Sequence, residues 1–328
     1  MKKIQDYEMP SYLMDFLNYL GTIQGKSINT MLVYFYDLRL FLRFLMVHFG
    51  LAPKNVDFDK IEIRHAGIEI LQRVTLSDLY AYMSFVSSNR DNASHARARK
   101  VASIRSFFNY LTSKARLLSS NPAAELESPK ILKKLPRYLS VEESRQLLFS
   151  IDGEHRERDY AIMTLFLNCG LRLSELVGIN MANIRNETLT VIGKGGKERA
   201  IPLNTACMEA LQTYLDNRSR QAVSARDRDA LFLSERKKRI SKENVQHIVK
   251  KFIRNAGLDP HRYSTHKLRH TAATLMYKYG HVDIRALQAL LGHESIATTE
   301  IYTHLDRQQL KDAVESNPLA KLRPDAGK

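Results

Sequence analysis

The sequence predicts a mainly α protein of two domains, the second carrying a small β-hairpin. Three observations predict it. Long stretches place apolar residues every three or four positions, the period of a helix with one buried face. A stretch rich in proline and lysine, "SSNPAAELESPKILKKLPRYLSVEE", breaks that pattern after the first third of the chain. One glycine-rich stretch, "TLTVIGKGGKERAIPLN", sets two β-rich runs on either side of a basic turn. A chain of 328 residues is long enough for two domains with separate cores. We expect a helical domain over 1–118, a basic, proline-containing linker over 119–138 and a second domain over 139–328.

The elements follow in order. In "SINTMLVYFYDLRLFLRFLMVHFG", Met31, Tyr34, Phe35, Leu38, Phe41, Leu42 and Leu45 make one apolar stripe, with Ser27 placed to cap the helix and Gly50 to stop it. A second helix covers "TLSDLYAYMSFVSS", capped by Thr75 or Ser77. The long segment between the two, residues 50–78, reads as a loop with its own contacts. A third helix covers "SHARARKVASIRSFFNYLTSKA". Val101, Ile104, Phe107, Phe108 and Leu111 form its apolar side, and Arg97, Arg99, Lys100 and Arg105 its basic side. Such a helix can lie in a DNA groove while its back packs on a core. A solvated charged face is the plain alternative. In the linker, Pro122, Pro129 and Pro136 oppose helix, and Lys133 and Lys134 stand among basic residues that could track phosphates. Ser140 with Glu142 and Glu143 opens the next helix. In "CGLRLSELVGI", Gly170 ends one helix and Ser174 is placed to cap another. Further helices are expected near 205–217, from Ser241 through Arg254, over "THKLRHTAATLMYKYG", over "DIRALQALLG", and in the tail "DRQQLKDAVESNPLA".

Charge narrows the function. Lys and Arg total 50 against 35 Asp and Glu, a formal net charge of +15, which favours polyanionic partners. No apolar run approaches the roughly 20 residues of a membrane span. The opening "MKKIQDYEMPSYLMDF" lacks the apolar stretch of a secretory signal. Cys169 and Cys207 are far apart in sequence and have no histidines at metal spacing. Cys169 lies in the apolar run "IMTLFLNCG" and reads as a small core residue, and the protein reads as reducing and cytoplasmic, without a zinc site or disulfide framework.

Four stretches carry residues suited to chemistry. Arg172 sits at the joint in "CGLRLSELVGI", with Glu175 close enough to buttress it. Lys194 lies at the tip of the hairpin, where Gly193, Gly195 and Gly196 let the backbone approach a ligand. The P-loop spacing is absent there. His266 and Arg269 share a helix face three residues apart. His293 precedes Tyr302 in "LGHESIATTEIYTHL". Together these supply the groups that phosphoryl transfer needs. Two arginines grip non-bridging oxygens. A histidine moves a proton. A lysine protonates the leaving oxygen, and a tyrosine attacks. Each also has a bland reading: a surface arginine, a basic turn, a half-buried aromatic.

Arg172 in "GLRLSEL", Lys194 in "GKGGKER", His266 and Arg269 in "HKLRH", His293 in "LLGHE" and Tyr302 in "TTEIYTH" resemble, in order and spacing, the tyrosine site-specific recombinases of the bacterial Xer type. The likeness runs through most of 139–305. The helices and the "NPAAELESPK" stretch before it resemble that family's core-binding domain. The resemblance implies a helical, SAM-like core-binding domain followed by a mostly α catalytic domain of the DNA breaking-rejoining fold. It implies that Arg172 and Arg269 clamp the scissile phosphate and that Lys194 is the general acid toward the 5′-oxygen. His266 would assist proton transfer, His293 would bond the phosphate, and Glu175 would be the supporting carboxylate. Tyr302 would attack to leave a 3′-phosphotyrosyl bond. It further implies a double-stranded DNA recombination site as partner, a homo- or hetero-tetramer on two such sites, a Holliday junction, and no metal, ATP or other cofactor. No membrane partner is expected, and the place of action would be the cytoplasm, at the nucleoid. Chromosome dimer resolution is the expected role. The alternatives are a mobile-element integrase or transposase with the same chemistry, a DNA-binding regulator without catalysis, and a type IB topoisomerase. Two features depart from the family pattern: the length of the 50–78 segment, and Thr265 where proline is common. The extra N-terminal domain of lambda-type integrases is not expected.

Overall fold

The computed structural model describes residues 8–88, 94–129, 137–193, 196–218, 227–280, 282–293 and 295–299. The chain separates into two compact units, Met1–Lys133 and Lys134–Lys328.

The first unit is helical: α1 (Ser11–Thr22), α2 (Ile28–His48), the short α3 (Ile68–Gln72), α4 (Leu76–Ser88) and α5 (Ser94–Ser113). The stripe expected of α2 is largely buried, through Met31, Phe35, Leu38, Phe41, Leu42 and Leu45. Ser27 accepts the Thr30 N–H, and Gly50 adopts a left-handed φ of 69° just past the helix end. Thr75, not Ser77, caps α4: its N–H donates to Asp78 at 2.8 Å while its hydroxyl accepts from the Asp78 N–H. Helix α1 was not anticipated. Its Tyr12, Leu13, Phe16, Leu17 and Leu20 are buried, and Phe16 packs 5.2 Å from Phe107 of α5. The 50–78 segment is part of the core and not a free loop. Ile61, Ile63, Ala66, Ile70, Leu71 and Val74 are buried, and the Ala66 carbonyl accepts the Tyr12 hydroxyl at 2.7 Å. Ala123 and Leu126 are buried in the same core, so the packed part of this unit runs past residue 118.

Helix α5 presents its apolar side as expected, with Val101, Ile104, Phe107, Phe108 and Leu111 buried. Its basic side is different. Lys100 points inward and donates to the buried Asp37 of α2 at 2.9 Å. Ser103 donates to the same carboxylate at 2.9 Å, and Arg99 reaches it from the surface. Arg97 ties α5 to Ser87 of α4. Arg105 is exposed. Lys100 is therefore withdrawn from the expected groove-facing set, because a buried carboxylate holds its ammonium inside. Neutralising Asp37 would leave that ammonium buried without its counter-charge. Asp37→Asn is expected to destabilise the protein by about 3 kcal/mol, the usual result of breaking a buried pair, read as a lowered urea midpoint of unfolding. An unchanged midpoint would show the pair to be dispensable.

The second unit is mostly helical around a small sheet. It contains α6 (Val141–Phe149), α7 (Arg156–Cys169), α8 (Leu173–Gly178), α9 (Thr205–Asn217), α10 (Lys242–Asn255), α11 (Thr265–Tyr279) and α12 (Ile284–Leu291). Strands β1 (Ile184–Arg185), β2 (Thr188–Ile192) and β3 (Glu198–Pro202) form an antiparallel sheet in that order, with Leu189 opposite Ile201. The expected hairpin is β2–β3, and β1 was not foreseen. Ser140 caps α6 in a capping box with Glu143, Asn204 and Ser241 cap α9 and α10, and Asp283 caps α12. Ser174 is not a cap: α8 begins at Leu173, so Arg172 holds the cap position. Helix α7 lies at the centre, buried through Ala161, Ile162, Met163, Leu165 and Phe166, and packs on α9 and α11. Cys169 of α7 and Cys207 of α9 meet across that contact, 3.9 Å between sulfurs, as free thiols. Leu139 is buried in this core and donates its N–H to Thr271 of α11 at 2.9 Å. Among the described residues no helix is long and apolar enough to cross a membrane.

Candidate active site

A buried carboxylate organises the site. Glu175 lies in the first turn of α8 and is 5% exposed. One oxygen accepts the Arg172 N–H at 2.8 Å, while the other accepts the Arg172 guanidinium at 2.8 Å. Arg199 of β3 forks across both oxygens at 2.7 and 2.9 Å. Arg269 of α11 stands 3.8 Å away. Burial alone would raise the Glu175 carboxyl. The Arg199 fork and the Arg172 backbone and side-chain donors outweigh it and hold the group down at about 2.

The same three arginines finish a helix. The last carbonyls of an α-helix have no partner inside it and carry its negative end. At the end of α12, the Leu290 carbonyl accepts Arg199 Nε at 2.8 Å and the Leu291 carbonyl accepts Arg269 at 2.6 Å. The Gly292 carbonyl accepts Arg172 at 2.8 Å. Arg269 also donates to the Gly170 carbonyl at 2.6 Å. Two glycines make this crossing possible. Gly170 has a φ of 59°, and a side chain there would meet Leu291 at 2.8 Å. Gly292 has a φ of 65° and lies against the Arg199 side chain. The strand β3, the α7–α8 joint, α11 and the end of α12 are thus tied to one charge cluster.

Two histidines border it. His293 follows α12 and bonds through Nδ1 to the buried Thr299 hydroxyl at 3.0 Å. Burial, then Arg269, Arg172 and Arg199, push its imidazole down to about 4. His266, on the first turn of α11, keeps an exposed edge, and its Nε2 lies 3.0 Å from Nε2 of the buried His270. Desolvation, then Arg269, Lys267 and Arg172, lower His266. Both rings are neutral at neutral pH, the state able to accept a proton. An open cavity of about 610 Å³ lies over the cluster, lined by Arg172, Lys197, Arg199 and His293 among others.

Arg172, Glu175, Arg269, His266 and His293 are thus gathered from segments up to 121 positions apart in sequence, Arg172 to His293. Lys194 and Tyr302 lie outside the described residues, as do Lys133, Lys134 and the expected tail helix. On either side of Lys194, Gly193 donates its N–H to the Lys197 carbonyl at 2.8 Å. The sequence reading missed Arg199 and His270. Arg199 lay within the quoted "GKGGKER" and looked like one more basic turn residue. His270 carried a signal: it stands four residues after His266, one turn along the same helix face.

This arrangement concentrates fixed guanidinium donors and neutral imidazoles beside one open cleft, a site for an oxyanion and for proton transfer. Residues 137–309 match the phage integrase family. The chain belongs to that family, and within it to the Xer-type tyrosine recombinases; it is an enzyme of site-specific DNA recombination. It is 55% identical to the tyrosine recombinase XerC of Caldanaerobacter subterraneus subsp. tengcongensis, over 95% of this chain and 88% of that one. It is 32% identical to the tyrosine recombinase XerD of Shewanella oneidensis, over 93% of this chain and 96% of that one. The crystal structure of the XerH site-specific recombinase bound to its difH substrate superposes with a TM-score of 0.60 at 26% identity, covering 75% of this chain and 72% of that one.

Proposed function

We propose that the chain cuts and rejoins double-stranded DNA at a specific site through a tyrosine ester, and that its role is to resolve chromosome dimers. The observation that carries this reading is the convergence of Arg172, Arg269, His266 and His293 around Glu175. In the proposed step, Arg172 and Arg269 hold the non-bridging oxygens of one phosphodiester and His293 adds a hydrogen bond. His266 takes the proton of the Tyr302 hydroxyl. The phenolate oxygen bonds to phosphorus, the bond to the 5′-oxygen breaks, and Lys194 supplies that oxygen's proton. The products are a 3′-phosphotyrosyl bond and a free 5′-hydroxyl. The reverse reaction with a second strand rejoins the backbone, so the ester conserves the bond energy. Four protomers on two sites, of this chain alone or with a second recombinase, would exchange strands through a Holliday junction. The XerC and XerD relatives favour the chromosomal role over a mobile-element one. The +15 charge supports a nucleoid-associated, cytoplasmic protein, with Arg97, Arg99 and Arg105 of α5 and Lys133 and Lys134 as phosphate contacts.

The test has two stages. Genomic fragments bound by the protein are selected and sequenced, and the most enriched one is rebuilt as a nicked suicide duplex that traps the cut strand. Wild-type protein is expected to form a covalent adduct with it and Tyr302→Phe none. Adducts from Tyr302→Phe would overturn the assignment of the nucleophile. Enrichment at the ends of a mobile element, instead of near the replication terminus, would overturn the chromosomal role.

A further inference from the structure

His270 carries an inference beyond the residues that the family resemblance supplies. It lies on α11 one turn after His266, is 8% exposed, and faces the same way. The rings meet edge to face, 4.5 Å between centroids and 79° between planes, with Nε2 to Nε2 at 3.0 Å. Two ring nitrogens at that distance share one proton, because two N–H groups would clash and two lone pairs would repel. The bond therefore fixes the tautomer of His266, as the partner of a histidine's second nitrogen does elsewhere.

Two arrangements satisfy the geometry. If His270 donates, His266 carries its proton on Nδ1. If His266 donates, its Nδ1 keeps a lone pair. The charges around the pair decide between them. Arg269 and Lys267 of α11 and Arg172 at the start of α8 act on His266; Lys267, Arg269 and His293 act on His270. A ring edge among cations favours a lone pair over an N–H. We infer that His270 is a positioning residue that accepts the Nε2–H of His266 and leaves His266 Nδ1 as the proton acceptor. The inference rests on the proposed role of His266 as the base that takes the Tyr302 proton. When that proton arrives at Nδ1, the imidazolium keeps its Nε2–H bond to His270, which spreads the new charge. Burial, His266 and the neighbouring cations push His270 itself down to about 4, so it remains a neutral acceptor throughout.

The experiment measures single-turnover adduct formation by the full chain on the nicked duplex described above, from pH 5.5 to 8.5. Wild type is compared with His270→Leu, His270→Gln, His266→Ala and the double variant His266→Ala/His270→Leu. His270→Leu is expected to lower the plateau rate 10- to 100-fold and to move the acid limb of the profile to lower pH, with DNA affinity unchanged. His270→Gln, whose amide oxygen can accept the same proton, is expected to recover at least tenfold over His270→Leu. The double variant should be no slower than His266→Ala, since His270 acts only through His266. Losses that multiply in the double variant, or a His270→Leu profile equal to wild type, would overturn the inference. A His270→Leu protein that loses DNA binding in step with cleavage, with no recovery in His270→Gln, would show a packing role and also overturn it. The proposed base fails separately, if His266→Ala cleaves as fast as wild type, and the recombinase chemistry fails separately, if wild type forms no adduct.

Discussion

Replacing Arg172 by alanine is expected to slow strand cleavage by on the order of a thousandfold while weakening DNA binding by less than about tenfold. The asymmetry follows from where its guanidinium sits. Of the three arginines on Glu175, Arg172 has the most open side chain, 34% exposed against 11% for Arg199 and 4% for Arg269. Glu175 and the Gly292 carbonyl aim it, and the cavity lies on its open side. A donor held in place before the reaction stabilises charge that grows in the transition state, without first having to reorganise. Affinity for DNA, by contrast, is spread over many phosphate contacts, each contributing modestly. Arg172→Lys should fare almost as badly as alanine, because an ammonium cannot hold a carboxylate, a carbonyl and a phosphate from one planar fork. The measurement is single-turnover adduct formation beside a binding titration at fixed salt. Equal losses in both would mean that Arg172 only supports the fold.

Glu175→Ala is expected to be worse, because it damages stability and chemistry together. It leaves the guanidiniums of Arg172, Arg199 and Arg269 around an empty, buried position. Removing one partner of a buried ion pair costs about 3–5 kcal/mol, enough to lower the thermal midpoint by several degrees. Cleavage should fall at least as far as in Arg172→Ala, since all three arginines lose their common anchor. The pH dependence has a definite sign. The carboxyl is held at about 2 in the folded protein, below its ordinary value near 4.5. Its contribution is therefore complete above about pH 4.5 and is lost as pH falls toward 2. A shift of that size corresponds to about 3 kcal/mol. The stability gap between wild type and Glu175→Gln should accordingly narrow on acidification through that window. A gap that stays constant from pH 7 to 3 would mean that the carboxylate charge is not what holds the cluster.

Much of this was legible in the sequence, and the misses have physical reasons. Periodicity located α2, α4, α5 and several helices of the second unit, and the caps at Ser27 and Ser140 are local chemistry, whereas α7, buried nearly all round, was marked only by its end at Gly170. Helix α1 escaped because only the fold shows that Phe16 has Phe107 to pack on. Lys100 was read as exterior because its neighbours are basic; its partner Asp37 lies 63 positions away and leaves no trace in local spacing. The spacing of the motif residues marked Arg172, His266, Arg269 and His293. Arg199 was hidden because its bonds go to a distant carboxylate and to the Leu290 main chain.

Four of the acceptors that aim these arginines are main-chain carbonyls, those of Gly170, Leu290, Leu291 and Gly292. A peptide oxygen is present whatever residue carries it. Mutation along the end of that helix can therefore alter what it shows to its surroundings without deleting a single anchor, provided the turn itself survives. Lineages could vary this surface, and with it whatever docks there, while the catalytic centre keeps its alignment.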